Sequence, residues 1–437
     1  MSVAVQGSEL GVSRARSVGW VQVLAALLAL VLLAATAEIV LDGALGHSAL
    51  IPKSPDIAGW LGGIGERLGF RVFLIALLSF SGAYCGLLAL AGTLSKRFAI
   101  VLLAALHLIV FAGPILISTD VFSYIAYARM GVEHGLNPYL GGPIEIAHDP
   151  IYRYVGQDWK HVATAYGPLY TLLSYPLAPL GVKGALWGMK LEALLASAAT
   201  LALTWRCARK RDLNPVAAIV IVGANPLYIL YGLGGAHNDL IMLALMMAAV
   251  AFTFSGRDGA AGATVVAGAL VKATVAVLLP FMLLSRRRPA SIFGAGAAVA
   301  LAAVVGYGVF GVHGIDLIAA LNRDAAFVSS DSFPTEIAHL LGKPGVFPVD
   351  HDLLKAALVL IVVHLLWRTW RGYDWVAASG WTLLAITVTS TWLLAWYTLW
   401  SLPLAVIARD RRLLYATLFV QALFIVHQTA PLLAPVQ

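Results

Sequence analysis

The stretch Ser118 to Pro168, STDVFSYIAYARMGVEHGLNPYLGGPIEIAHDPIYRYVGQDWKHVATAYGP, directly follows an apolar helix. Its third residue, Asp120, therefore sits where a membrane span would emerge into water. Ser118-Thr119-Asp120 suits capping of a helix over Val121–Gly135. A carboxylate partly withdrawn from water also has a raised pKa, which makes it a better general base. One side chain can do both. Lys272 is the second conspicuous group, inside the apolar run GALVKATVAVLLP. An ammonium near mid-membrane costs about 2.5–3.5 kcal/mol on insertion scales, so it should face a cavity or a partner, for which a phosphate is fitting. Snorkelling of the side chain to the surface is the rival explanation.

GGAHND, Gly234 to Asp239, supplies a histidine, an amide and a carboxylate after a glycine pair that lets backbone pass close to a ligand. Either His237, Asn238 and Asp239 orient a substrate, or the hexapeptide is a polar turn with Asn238 or Asp239 as a cap. Adjacent His-Asn-Asp matches no standard metal-ligand spacing, and no metal is expected. Arg153 and Lys160, crowded with His148, Asp149, Asp158 and His161, are either solvated charge or a cationic set suited to an anionic lipid head group. Arg323, in NRDAAFVSSDSF, can fork two hydrogen bonds to a phosphate or lie on the surface. WLLAWYTLW, Trp392–Trp400, is an interfacial aromatic belt or a set of rings that stack on a sugar, with Trp396 and Tyr397 at the turn best placed. A glycine-rich phosphate loop, a Ser-His-Asp arrangement in recognisable context and a CxxC pair are all absent, which argues against nucleotide-driven transport and hydrolase chemistry.

The elements that must position these groups are membrane helices. The chain has 437 residues, 60% hydrophobic and 12% charged, with a mean hydropathy of +0.85, the profile of an all-α polytopic membrane protein. Its apolar windows lie too close together for a separate soluble domain, so residues 1–437 read as one transmembrane domain. Val21–Val40, longer than the hydrophobic region of a secretory signal, reads as a retained first span. The two cysteines, Cys85 and Cys207, give no metal or disulfide spacing.

The net charge of +7 comes from cations in short loops between apolar runs, a topological pattern that does not suggest nucleic acid. Arg14/Arg16, Lys96/Arg97, Arg206 to Arg211, Arg257, Arg286 to Arg288, Arg368/Arg371 and Arg409 to Arg412 all lie inside under two assumptions. Tyr166–Leu180 does not cross, and Ala260–Leu284 is a pair of half-length spans or a re-entrant hairpin turning near Lys272. About thirteen membrane segments result, in the plasma membrane, with the N-terminus inside. Ser118–Pro168, Gly234–Asp239, Lys272, the loop His313–Asp352 and Trp396/Tyr397 then share the outer face. The segment Val121 to Val132, with Phe122, Tyr124, Tyr127 and Met130 on one side and Arg129 with Glu133 on another, reads as a helix lying in the interface.

In this order, STDVFSY, an NPY turn, YGPL, GGAHND, VKATVAVLLP and WYTLW-x-LP resemble the GT-C superfamily of integral-membrane glycosyltransferases. The likeness is to the polyprenyl-phosphate-mannose-dependent alpha-1,6-mannosyltransferases, and it runs from about Ser118 to Pro403. The resemblance implies a lipid monophosphate sugar as donor, a glycan or glycolipid acceptor, an extracytoplasmic site among membrane lipids, no cofactor, and Asp120 in the position of the catalytic carboxylate. Many members carry a paired acidic motif. Val121 follows Asp120 here, which leaves Asp149 and Asp239 as candidates for a second acid.

The expected reaction has Asp120 deprotonate an acceptor hydroxyl that displaces lipid phosphate with inversion. Lys272, Arg323, Lys160 and Arg153 would neutralise the phosphate. His237, Asn238, Asp239, Tyr166, Trp396 and Tyr397 would contact the sugar or acceptor. A transporter or lipid-linked saccharide flippase is the competing class, since short and broken spans around a mid-depth lysine also suit a transport site. Sidedness separates the two, because alternating access needs polar groups on a path to both faces.

Overall fold

The computed structural model describes residues 6–44, 70–324 and 326–429, and among these there are helices and turns but no strand. The class is all-α, as the composition implies.

The first three helices, α1 (Gln6–Ala44), α2 (Phe70–Leu90) and α3 (Lys96–Ala112), pack together. After α3 the chain turns irregular at Gly113 and restarts as α4 (Asp120–Val132). Short 3-10 turns then lead to α5 (Pro168–Ser174), a 3-10 stretch over Tyr175–Leu180, and the long α6 (Gly181–Lys210), entered through a left-handed glycine, Gly181. α7 (Pro215–Gly223) meets a π-helical stretch, Leu227–Leu233, at a bend of 53°. The bend falls at Asn225-Pro226, where proline removes a donor. Asn225 Oδ1 accepts from the Leu227 and Tyr228 amides at 3.0 and 3.2 Å, so the freed groups are re-satisfied.

α8 (Asp239–Phe254), α9 (Asp258–Ala269), α10 (Leu278–Arg286) and α11 (Pro289–Phe310) follow, with a turn at 270–272 between α9 and α10. Arg286 Nε lies 3.3 Å from Asp258 Oδ1, which brings the far ends of α9 and α10 together. The segment is thus a hairpin turning at Lys272, in agreement with the expected pair of half-length pieces. α12 (Leu317–Asp324), α13 (Phe333–Leu340), α14 (Pro348–Trp370), α15 (Trp375–Thr389), α16 (Leu402–Ile407) and α17 (Arg411–Thr429) complete the chain.

The cations of the short loops around residues 206–211, 255–258, 286 and 374 gather at one end of the helices. Arg211 pairs with Asp374 at 2.8 Å, Arg206 donates to Ser255 at 3.2 Å, and Arg286 pairs with Asp258. The polar clusters meet at the other end. Leu116 N donates to Gly234 O at 2.9 Å, Gly167 N to Val271 O at 3.2 Å, and Lys272 pairs with Asp239 at 2.8 Å.

Among the described residues, four helices suffice by length and apolarity to cross a bilayer, within 19–41, 71–90, 168–210 and 289–313, and the bent pair of α7 and the π-helical stretch makes a fifth. Asp239–Phe254, Ala273–Arg286, Trp375–Thr389 and Ala395–Ile407 are shorter apolar helices. The count of about thirteen took such pieces as membrane segments. Several of them are short because they start or stop at the polar centre.

One expectation changes. A helix lying on the membrane surface exposes one side, but α4 is buried on nearly every side, from Val121 through Ala128 and again at Met130. The loop turns, α5 and the 3-10 stretch after it cover what would have been its wet face. α4 is a core element.

Candidate active site

Asp120 is the first residue of α4, and the turn before it is strained. Ile117 has a φ of +65°, and Ser118 N donates to Leu116 O at 2.7 Å across it, forming a γ-turn of the rare hand. A β-branched residue in this region is a genuine outlier. Thr119 occupies the cap position without a side-chain bond, and no capping bond is made by Asp120. The carboxylate is instead 14% exposed and faces a cavity. Burial, opposed by the Lys272 charge and reinforced by that of Asp239, pushes its pKa up to about 6.

The cavity has a volume of about 180 Å³, and Asp120 and Lys272 both line it. Tyr124 and Tyr127 of α4, Tyr166, Trp396, Tyr397 and Trp400 give it aromatic walls. Trp159 and Trp392, 6.1 Å apart edge to face, also line it, with Phe327 packed against both. Gly167 closes one side. A Cβ there would lie 1.9 Å from Leu270 O, so only glycine allows the 167 and 270 backbones to meet.

Lys272 Nζ bonds both carboxylate oxygens of Asp239 at 2.8 Å. Its ammonium also stands 4.4 Å from the Tyr397 ring and 5.2 Å from the Trp400 ring. Trp400 Nε1 donates to Asp239 at 2.6 Å. Asp239 is thus a fully buried acceptor of three bonds from two donors, and it fixes the lysine at the cavity edge.

His237 and Asn238 are equally buried and, with Asp239, stand behind the cavity wall. His237 Nδ1 is 3.6 Å from Asp120 Oδ2 and 3.3 Å from Tyr124 Oη, and its ring stacks on Trp396 at 3.6 Å between centroids. Burial, with the Lys272 charge adding to it, pushes His237 well below the usual imidazole range. A neutral ring has one N–H, and Nε2 finds no partner. The proton therefore belongs on Nδ1, facing Asp120 and Tyr124. Asn238 Oδ1 accepts a long 3.5 Å bond from Tyr124 Oη.

Of the residues singled out from sequence, Asp120, Lys272, Tyr166, Trp396 and Tyr397 line one cavity. His237, Asn238 and Asp239 back it; direct contact with a sugar would require burial to open, so their contacts reach it through Asp120, Trp396 and Lys272. Arg323 lies at its edge, donating to the Ala163 carbonyl at 3.3 Å, and Ala163 is a lining residue. Lys160 stands over the Tyr152 ring at 4.4 Å and does not line the cavity. Arg153 faces a separate crevice with Arg129 and Lys183. Asp149 is held by Arg129 at 2.9 Å and His134 at 2.8 Å, away from the cavity lining.

Sequence reasoning missed Tyr124, Tyr127 and Trp159 as site residues, and reached Trp392 and Trp400 only as the ends of the aromatic run, without singling them out. It also missed Lys190, which is buried in α6 and donates to the Gly113 carbonyl at the end of α3, while its ammonium lies 4.3 Å from the Trp187 ring. That bond satisfies an otherwise orphaned helix-end carbonyl and anchors the segment leading to Asp120. An ionisable residue inside an apolar run was its only signal. Among the described residues there is no group of three or more His, Cys, Asp or Glu side chains able to hold a metal ion.

Two family models match the chain. One, described as Alpha-(1->6)-mannopyranosyltransferase, N-terminal domain, covers residues 16–288, and the other, MptB C-terminal domain, covers residues 349–431. The chain is 28% identical over 424 residues to alpha-(1->6)-mannopyranosyltransferase A of Mycobacterium tuberculosis, covering 87% of this chain and 80% of that protein. It is 29% identical over 177 residues to the protein of that name from Corynebacterium glutamicum, covering 40% of this chain and 36% of the relative. With alpha-(1->6)-mannopyranosyltransferase B of Corynebacterium glutamicum it shares 25% identity over 334 residues, covering 66% and 55%. Asp120, Asp239 and Lys272 fall within the first matched region, and Trp392, Trp396, Tyr397 and Trp400 within the second.

Proposed function

This chain is a mannosyltransferase that belongs to the alpha-(1->6)-mannopyranosyltransferase family, and from that premise we propose that it moves mannose from a polyprenyl-phosphate donor to a hydroxyl of a cell-envelope glycan or glycolipid. The new bond is alpha-(1->6), as the relatives' names have it, and it forms with inversion at the anomeric carbon. The observation that carries the mechanism is the single cavity lined by both Asp120 and Lys272.

Asp120 takes the proton of the acceptor hydroxyl as its oxygen bonds to the anomeric carbon. The bond from that carbon to the phosphate oxygen breaks, and the electron pair leaves with the lipid phosphate. Negative charge develops on the leaving group beside Lys272, whose third N–H is directed by the two bonds to Asp239. A preorganised cation in an aromatic, water-poor wall stabilises that charge more than water does. Tyr166, Trp396, Tyr397, Trp159 and Trp392 offer ring faces to the sugars. His237 steadies Asp120 from behind.

The donor's phosphate arrives on a membrane anchor, which suits a single lysine and the absence of a glycine-rich nucleotide loop from the sequence. The cavity lies at the helix ends remote from the basic loops. Basic loops favour the cytoplasm, so the cavity opens to the extracytoplasmic face of the plasma membrane.

Incubating the purified protein with a panel of polyprenyl-phosphate sugars and a mannan acceptor, with mass analysis of the glycans, tests this. The expected product carries one added hexose from polyprenyl-phosphate mannose. Products formed only from a nucleotide sugar would refute the donor assignment.

A further inference from the structure

We propose that Trp159 and Trp392, at the mouth of the transfer cavity, form the acceptor subsite: the terminal mannose of the acceptor lies against these indoles while its 6-hydroxyl reaches inward to Asp120. The proposal rests on the mannosyl-transfer reading above and adds which end of the cavity each substrate takes.

The aromatic lining divides into two groups. Trp396, Tyr397 and Trp400 belong to the reaction centre, since the Trp396 ring stacks on His237 at 3.6 Å and the Tyr397 and Trp400 rings stand 4.4 and 5.2 Å from the Lys272 ammonium. Trp159 and Trp392 pack on each other at 6.1 Å, with Phe327 at 6.3 and 5.4 Å from them. Trp396 and Trp400 are 7% and 4% exposed, whereas Trp159, Trp392 and Phe327 are half-buried. The first group is the floor of the cavity and the second its mouth. A glycan from the envelope meets the mouth first, and the floor beside Lys272 is the place for the donor's phosphate.

The backbone keeps the same order. Trp400 and Tyr397 stand at Lys272, Trp396 backs Asp120 through His237, and extended backbone at Leu394 (φ −118°, ψ 148°) then leads to Trp392. Trp159 is brought close to the base by another route. A Cβ on Gly156 would lie 3.0 Å from Thr119 Oγ1 and 3.2 Å from Trp159 Cδ1, so the indole and the residue before Asp120 flank one glycine. The mouth is also held in shape. Thr391 Oγ1 donates to Phe327 O at 2.9 Å, Ser329 N to Thr391 O at 2.8 Å and Leu393 N to Ser329 Oγ at 3.0 Å, which clips residues 327–329 to 391–393. Rings fixed in advance lose little freedom when a ligand binds.

The chemistry of the mouth fits a pyranose. The two indoles meet at 77°, which makes a corner with one ring face and one ring edge turned inward. An aromatic face is negative and attracts the polarised C–H groups on one side of a sugar ring. Neither indole N–H is hydrogen-bonded among the described residues, while that of Trp400 is taken by Asp239 at 2.6 Å. Two donors at a cavity mouth call for hydroxyl acceptors, which a sugar carries and a hydrocarbon does not. The 6-hydroxyl stands on a methylene arm outside the ring. The ring can therefore rest at the mouth while the reacting oxygen extends to Asp120.

The test is two-substrate kinetics on the full chain in nanodiscs, with polyprenyl-phosphate mannose as donor and an octyl alpha-(1->6)-dimannoside as acceptor, beside saturation-transfer NMR of dimannoside binding without donor. Trp159→Ala and Trp392→Ala are expected to raise the acceptor KM about tenfold, to leave the donor KM within about twofold of wild type, and to weaken the NMR response. Lys272→Met is expected to show the converse, a raised donor KM. Where alanine prevents folding, Trp159→Phe and Trp392→Phe keep a ring face and lose the N–H, and an increase of about threefold in acceptor KM is expected. Folded variants with wild-type acceptor KM, or with donor and acceptor KM raised alike, would overturn the proposal. Should the wild type bind the dimannoside, and lose that binding with either indole, yet take no mannose from the lipid donor, the donor reading fails and the acceptor subsite stands. Should it transfer mannose while folded indole variants keep their acceptor KM, the subsite alone fails.

Discussion

The proton affinity of Asp120 is set by what surrounds it. Burial weakens the carboxylate as an acid, the Asp239 charge adds to that effect, and Lys272 opposes it, leaving the pKa near 6. A general base works only when deprotonated, so kcat/KM should rise with pH up to about 6 and level off above it. Lys272→Met removes the opposing charge and should move this limb to higher pH while raising the donor KM. A flat profile from pH 5 to 8, or a limb that stays put in the variant, would contradict the assignment. Ile117 supplies a second prediction. Its left-handed backbone stores about 1–3 kcal/mol. Glycine at 117 relieves that strain at an entropic cost of about 0.5–1 kcal/mol. Ile117→Gly also removes a side chain packed against the core, so it should melt earlier than wild type by less than that lost burial alone predicts, and lose about tenfold or more in kcat as Asp120 loosens; a folded variant with full turnover would show that the turn has no part in positioning. That Asp120 and Lys272 open into one cavity was legible from their places beside and inside apolar runs. The layering of GGAHND was not, because three adjacent polar residues do not reveal which of them face a cavity and which are sealed behind it.

At the scale of elements, short helices are what bring the groups together. α8 begins and α9 ends at the Asp239–Lys272 pair, and the α9–α10 hairpin returns its free end to Asp258. This hairpin was readable from sequence, since a lysine at the middle of an apolar run and basic residues after it permit little else. The burial of α4 was not readable, because its cover comes from residues 143–180, whose turn-rich sequence gives no sign of where they fold back. Asp149 shows how that cover is fastened. Its carboxylate is 2% exposed and takes bonds from Arg129, His134 and the Ile151 amide. Burial works against its charge, and the Arg129 and His134 bonds overcome it, holding the pKa below the ordinary value. A depressed carboxylate stabilises the fold above its unfolded pKa, and this contribution is lost as pH falls through the folded value. Asp149→Asn removes the counter-charge of Arg129, which keeps only its bond to the Ala178 carbonyl at 3.0 Å, and should destabilise the protein by on the order of 3–5 kcal/mol, measured by thermal or chemical unfolding in detergent. A change within about 0.5 kcal/mol, the ordinary range for surface substitutions, would mean the clasp is solvated.

Over the whole molecule, the basic loops between helices and the aromatic cavity lie at opposite ends of the helices. Cationic loops meet around Asp374, Ser255 and Asp258, and the aromatic cavity lies at the other end, with residues 116, 167, 234 and 271 tied across it by backbone bonds. The sequence order of motifs carried this sorting, while long-range partners such as Lys190 with Gly113 and Trp400 with Asp239 appear only when the chain is folded. A transporter would need polar groups on a path to both faces, and the polar lining described here collects at one. The most direct measurement is transfer of labelled mannose from polyprenyl-phosphate mannose by purified wild type and Asp120→Asn, with melting curves to confirm that both are folded. A loss by a factor on the order of 10²–10⁴ in the folded variant is the expected result, whereas turnover close to wild type would contradict the assignment of Asp120 as the base.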